Sequence, residues 1–244
     1  MNWEDYDAVL FDLDGVLTPT AEVHMRAWER MFTEFLEGPA REVAGEGADL
    51  SPYTDDDYFA HVDGKPRYEG VADFLGSRDI ELPQGDPADP PDALTVCGLG
   101  NKKNDLFAAV LEEEGISAYE GSVRLLDALA ERDIEVAVVS SSRNAPDVLQ
   151  TAGIADRFDV VVDGALAQQE SLAGKPRPDT YAYAAKAVGA SNARSVVVED
   201  AVSGVQAGRA GEFGLVVGVD RGAGRQTLLD HGADVVVEDL AELI

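Results

Sequence analysis

The sequence predicts an α/β fold, a doubly wound parallel sheet that carries an inserted α-helical domain. Three observations carry that expectation. Short Val-rich runs recur along the 244 residues with helical stretches between them, and nearly continuous apolar runs are what parallel strands buried on both faces require. Polar clusters follow several of these runs directly, at the strand ends where open α/β sheets place their sites. The stretch from about 20 to 118 breaks the rhythm, with helical patterns but no convincing buried strand.

Taken in order, strands are expected at residues 7–13, 135–141, 159–163, 195–199 and 214–219, with a sixth at 233–237. Amphipathic stretches such as "SVRLLDALAER", "DTYAYAAKAVG" and "SGVQAGRAG" supply the helices of right-handed crossovers. The glycines of the last, Gly204, Gly208 and Gly211, suit close helix–sheet packing. Within 20–118, helical patterns fall at 21–36, 68–77 and 103–114, joined by acidic, Pro-rich connectors ("EGADLSPYTDDDY", "LPQGDPADPPDA"). The expected division is therefore a core of residues 1–19 plus 119–244 and a helical insert of residues 20–118. No internal repeat is present.

Composition narrows the function. Acids outnumber bases 47 to 19, for a net charge of −28, and a nucleic-acid partner is disfavoured because phosphate backbones need basic surfaces. Repulsion on this scale is screened at high salt, so the acid-rich, Lys-poor chain fits a halophilic cytoplasm. No run of eighteen apolar residues exists and the N-terminus "MNWEDYDAV" is acidic; neither a membrane span nor a secretory signal is expected. One cysteine, Cys97, excludes an intrachain disulfide and reads as a small core residue. A cytoplasmic monomer is the resulting expectation.

The segment "AVLFDLDGVL" ends an apolar run in Asp12 and Asp14, followed by Gly15. Residues two apart on a strand start on the same face. Like carboxylates so close raise each other's pKa unless a cation intervenes. Candidate partners lie far along the chain: Lys175 in "AGKPRPD", and Glu199 and Asp200 in "VVVED". Oxygen-rich, histidine-poor ligation favours Mg²⁺. A calcium loop would place its glycine later than "DLDG" does, a nucleotide P-loop would not follow Gly174-Lys175 with proline, and "GLGNKK" lacks the third glycine of a dinucleotide loop. A further polar set, Ser140, Ser141, Ser142, Arg143 and Asn144, ends the run "VAVVSSSRN".

The order "FDLDGVL … VVSSS … GKPRPD … VVVEDAVSG" resembles the haloacid dehalogenase superfamily of aspartate-nucleophile phosphotransferases. Within it the chain looks most like the β-phosphoglucomutases, which carry a helical cap after the first motif. The resemblance covers nearly the whole chain and implies a Mg²⁺-dependent enzyme acting on a sugar phosphate. It makes Asp12 the nucleophile and Asp14 the general acid/base. It gives the metal to Asp12, the Asp14 carbonyl and Asp200 with Glu199 alongside, and the transferring phosphoryl group to Ser140 and Lys175. Such a set suits phosphoryl transfer, in which charge spread over equatorial oxygens needs a cation, an ammonium and oriented donors.

Mutase and phosphatase share these core motifs. A mutase needs a second phosphate site, and the resemblance offers Ser142, Arg143 and Asn144, with Arg143 in place of the family's lysine. It also offers Gly64 and Arg67 in "VDGKPRYEGV", Lys103 and Asn104 in "GNKKNDLF", and Thr20, His24 and Trp28 in "TAEVHMRAW", with His24 linked to domain closure. His61 and His231 carry no role, and Trp28 is expected to be cap core. Two departures bear on specificity: Pro19 replaces a common acid, and the cap is longer at 37–57 and 83–93. The reading is a β-phosphoglucomutase-type enzyme interconverting β-D-glucose 1-phosphate and glucose 6-phosphate through a phosphoaspartate and a bisphosphate, with cap closure excluding water. A phosphatase acting on a small sugar phosphate stays open beside it, as does a non-catalytic binding module, which the complete motif set disfavours.

Overall fold

The computed structural model describes residues 1–244, apart from the side chains of Ala21 and Glu114. The strands are β1 (Ala8–Phe11), β2 (Glu135–Val139), β3 (Val160–Val162), β4 (Ser195–Glu199), β5 (Leu215–Val219) and β6 (Val235–Val237). Among the described residues they form one parallel six-stranded sheet in the order β3-β2-β1-β4-β5-β6. The chain builds outward from β1 through β2 to β3, then returns to lay β4 on the other side of β1. That reversal is the topological switch point, where such sheets open a crevice beyond the strand ends. β1, β2 and β3 end before their expected runs do, because the last residues of those runs leave the ladder, while β4 spans its run of 195–199 in full.

The Val-rich pattern does what parallel pairing demands. All four residues of β1 and all five of β4 are buried. Ala8, Leu10, Ala137, Val139, Val162 and Val197 pack on one face against Tyr181, Ala184, Ala185, Ala207 and Phe213. These last residues come from helices Asp179–Ala187 and Val202–Ala210 and from the turn after the latter. Alanines at the contact let the helices approach, and Gly208 does the same: an added Cβ would stand 2.9 Å from Val216 Cγ2.

The chain divides into two compact units, residues 1–20 with 116–244 and residues 21–115; the sequence placed the boundaries at 19/20 and 118/119. The second unit is helical. Helices Thr20–Glu37, Arg67–Ser77 and Val96–Glu114 enclose a core that includes Trp28, Met31, Phe32, Phe35, Tyr58, Phe74 and Leu75. Each fully buried Phe contributes roughly 1.5–3 kcal/mol by its removal from water. The acidic connector around residues 49–57 is organised by one cation. Arg78, itself buried, donates to Asp57 at 2.8 Å and to the carbonyls of Ser51 and Pro52 at 2.5 and 3.3 Å, and lies over the Phe74 ring. Cys97 is buried, as its small apolar character suggested.

One helix differs from the expected one. It begins at Val96 rather than 103, so "GLGNKK" is helical. Thr95 caps it by accepting from the Gly98 N–H at 2.9 Å. Gly98 and Gly100, which read as helix breakers, are there for close approach: a Cβ on Gly98 would overlap the Ala93 carbonyl, and one on Gly100 would stand 2.7 Å from the Tyr68 ring. No helix among the described residues is long and apolar enough to cross a membrane.

Candidate active site

The site is assembled from the ends of β1, β2 and β4. Asp12 is the first residue past β1, and its N–H still bonds the Val198 carbonyl at 2.9 Å, so the sheet fixes its backbone. Ser140 is held likewise by Val162 at 3.0 Å. After Asp14 the chain turns sharply. Gly15 takes φ +84° and donates to the Thr18 carbonyl at 2.8 Å. A side chain there would meet strain and would also overlap the Asp200 carboxylate.

Lys175 sits at the centre. Its ammonium donates to Asp12 Oδ1 at 2.5 Å and to the Val139 carbonyl at 3.1 Å, and pairs with Glu199 Oε1 at 2.5 Å. It also lies 5.1 Å from the Tyr181 ring centroid. All three charged groups are buried, Asp12 at 6%, Lys175 at 3% and Glu199 at 1% exposure. Glu199 accepts further bonds from Tyr181 O–H at 3.0 Å and from the N–H groups of Asp200 and Ala201, both at 3.1 Å. Four acceptor sites are thus filled, the capacity of one carboxylate. Glu199 fixes Lys175.

Two buried carboxylates share one ammonium, which leaves one negative charge uncompensated. The protonation equilibria follow. Burial raises the Asp12 pKa well above the ordinary carboxylate value; Lys175 opposes this, while Glu199 and Asp14 add to it. Burial lowers the pKa of Lys175, but the charges of Asp12 and Glu199 outweigh that and leave it raised. Burial and the Glu199 charge push the Tyr181 phenol upward. A divalent cation would supply the missing charge. Ligand oxygens of Asp12, Glu199 and Asp200 lie within 4.8 Å of one another, and a donor set made only of oxygen fits Mg²⁺.

Asp14 is held from two sides. Thr20 Oγ1 donates to its Oδ1, and Ser140 Oγ donates to its Oδ2 at 3.3 Å. Ser140 Oγ in turn accepts the Ser142 N–H at 3.1 Å, and Ser142 Oγ accepts that of Asn144 at 3.1 Å. Arg143 is exposed and donates to Gln168 Oε1. Asp12, Lys175, Glu199 and Asp200 thus form one bonded set and Thr20, Asp14 and Ser140 another, and the charge of Asp14 acts on Asp12 across the two.

The remaining candidate residues belong to the helical unit. His24 stacks on Phe107 with centroids 4.0 Å apart, and its Nδ1 accepts from Lys103 Nζ; that bond leaves the proton on Nε2. Lys103 is buried over the faces of Trp28 and Phe107, 5.0 and 5.1 Å from their centroids. Gly64 takes φ +68°. Arg67 is the first residue of its helix, a cation at the end whose free N–H groups favour an anion. Asn104 lies one residue beyond Lys103 on helix Val96–Glu114 and is half-buried.

Tyr181 and Gly204 were not singled out as site residues, since a Tyr in an amphipathic stripe and a Gly in a helix both read as packing. Gly204 does more than that: a Cβ there would overlap the Glu199 carboxylate. Gly204→Ala is therefore expected to displace Glu199 and, through it, Lys175. Turnover should fall about 100-fold, the usual consequence of a misplacement near 1 Å, with the far-ultraviolet circular dichroism unchanged. Near-normal kcat in this variant would remove Glu199 from its positioning role.

A sequence profile of the haloacid dehalogenase-like hydrolases matches residues 6–211. The chain is 48% identical over 245 residues to a β-phosphoglucomutase of Mycobacterium bovis, an alignment covering 99% of this chain and 92% of that one. It is 32% identical over 239 residues to a β-phosphoglucomutase of Bacillus subtilis, covering 97% and 91%. Among solved structures, a β-phosphoglucomutase from Clostridium difficile superposes with TM-score 0.76 at 23% identity, covering 98% of this chain and 93% of that one.

Proposed function

The chain belongs to the haloacid dehalogenase-like family, in its β-phosphoglucomutase branch, and on that premise we propose that it interconverts β-D-glucose 1-phosphate and glucose 6-phosphate through a phosphoaspartate on Asp12 and a bisphosphate intermediate. The observation that supports it most is the buried Asp12–Lys175–Glu199 set beside an Asp14 held at hydrogen-bond distance from Thr20 and Ser140. On this reading Asp12 is the nucleophile and Asp14, held by Thr20 and Ser140, manages protons.

In the proposed reaction an Asp12 oxygen attacks the C1 phosphorus of the bisphosphate, the bond to the departing sugar oxygen breaks, Asp14 gives that oxygen its proton, and glucose 6-phosphate leaves. The second half reverses the roles: Asp14 takes the proton of the 6-hydroxyl of β-D-glucose 1-phosphate as that oxygen attacks the phosphoaspartate, which breaks the bond to Asp12 and restores the bisphosphate. Lys175 and Ser140 bind the equatorial oxygens, where charge spreads in the transition state. Asp12, the Asp14 carbonyl and Asp200 would hold Mg²⁺, with Glu199 alongside keeping Lys175 in place. When bound, the ion neutralises the transferring group and the acidic cluster. A mutase outcome further requires that phosphorylated Asp12 meet a sugar hydroxyl before water.

The non-transferring phosphate would be gripped by Arg67, with Ser142, Arg143 and Asn144 as further donors. Lys103, Asn104, Gly64 and the His24 imidazole would contact the sugar phosphate, and Thr20 would hold Asp14 between half-reactions. Arg67→Ala tests this assignment. Losing one charge-assisted phosphate contact should lower kcat/KM for β-D-glucose 1-phosphate roughly 10- to 100-fold. Unchanged mutase turnover would take the phosphate grip away from Arg67 and favour hydrolysis of a small sugar phosphate.

A further inference from the structure

Arg67 is not left to find its own conformation. Its guanidinium carbon lies 5.0 Å from the Tyr68 ring centroid, and Nη2 donates to the Tyr68 hydroxyl at 3.4 Å. That hydroxyl donates to Asn101 Oδ1 at 2.9 Å. The Asn101 amide nitrogen then donates to two carbonyls of the Pro-rich connector, Asp89 at 2.8 Å and Pro87 at 3.1 Å. The connector is itself pinned. Val96 N–H bonds the Pro83 carbonyl at 2.9 Å, Cys97 N–H bonds the Gln84 carbonyl at 3.1 Å, and Thr95 Oγ1 donates to Asp89 Oδ2 at 2.7 Å. Prolines at 83, 87, 90 and 91 restrict it further.

The helix opposite is shaped to receive this pair. A Cβ on Gly100 would stand 2.7 Å from Tyr68 Cδ1 and 3.1 Å from Arg67 Cγ. Free arginine loses rotamer entropy when it is fixed on a ligand, and fixing it beforehand removes part of that cost from binding. Neither Tyr68 nor Asn101 carries charge, so neither adds to the attraction for an anion. Their contribution is orientation.

We propose that the connector 83–93, acting through Asn101 and the Tyr68 hydroxyl, is a specificity element that orients Arg67 for substrates bearing a second phosphate at a set distance from the reacting one. Tyr68 and Asn101 are positioning residues. The proposal rests on the reading of Arg67 as the grip on the non-transferring phosphate. It goes beyond that reading by naming what sets the arginine and which substrate class is selected.

The test compares Tyr68→Phe, which keeps the ring and loses the hydroxyl, and Asn101→Ser with Arg67→Ala and the unaltered enzyme. Each is assayed on β-D-glucose 1-phosphate with glucose 1,6-bisphosphate, and on acetyl phosphate, a small phosphoryl donor with no second phosphate. In Tyr68→Phe and Asn101→Ser, KM for the sugar phosphate should rise about 5- to 10-fold with kcat within twofold. The ratio of kcat/KM for sugar phosphate to that for acetyl phosphate should fall by the same factor. Equal losses on both substrates would mark a merely structural role and overturn the proposal. If Arg67→Ala shifts that ratio while the other two leave it unmoved, the orienting role is overturned and the Arg67 reading stands. If Arg67→Ala itself leaves it unmoved, both fall.

Discussion

Asp12→Asn is expected to abolish phosphoryl transfer, by about 10⁴-fold or more, while leaving the fold intact. The amide keeps the size of the carboxylate and loses its nucleophilic charge. Stability should hold or rise, because the substitution removes the one negative charge that Lys175 cannot balance alongside Glu199. The pH dependence gives a sharper check. Folded Asp12 binds its proton more tightly than the unfolded residue does. Its contribution to stability therefore falls as pH rises from the ordinary carboxylate range toward the raised folded pKa. Asp12→Asn should flatten that slope, as seen by calorimetry across a pH series in the absence of divalent cations. A variant that melts far below the unaltered protein would mean that the Asp12 charge, not its removal, supports the fold.

Lys175→Met is expected to be damaging twice over. Transfer should be lost, since the ammonium holds Asp12 and, in the proposed mechanism, binds the phosphoryl oxygens. The fold should also weaken by about 3–5 kcal/mol at neutral pH, the usual result of removing one partner from a buried ion pair, with Asp12 and Glu199 left facing each other. Without Lys175 the buried Asp12 favours protonation still more, so the deficit should shrink as pH falls toward 5. Urea unfolding at both pH values measures it. A deficit independent of pH would point to lost packing against Tyr181 instead of charge. Asp12→Asn combined with Lys175→Met should recover part of the stability, which a double-mutant cycle reads as coupling.

Much of this centre was legible in one dimension because open parallel sheets make it so. An apolar run that ends in Asp12, Ser140 or Glu199 announces both a buried strand and the polar group at its tip. Tertiary pairing was not legible. Nothing local links Lys175 to Glu199, 24 positions on, or shows that Glu199 spends its acceptor sites on Lys175, Tyr181 and two backbone N–H groups. Tyr181 fits a core stripe so well that its hydroxyl left no trace in the pattern. The helix start at Val96 was hidden by Gly98 and Gly100, whose propensity argues against helix while close packing demands them. Asn101 and Tyr68, 33 positions apart, likewise meet only in the fold.

The most direct test of the proposed mutase follows phosphorus itself. The purified protein would be mixed with β-D-glucose 1-phosphate, Mg²⁺ and a catalytic amount of glucose 1,6-bisphosphate, and the ³¹P signals recorded over time. Conversion to glucose 6-phosphate with little free phosphate is the predicted result. Stoichiometric inorganic phosphate with no glucose 6-phosphate would contradict it and make the enzyme a hydrolase built on the same aspartate.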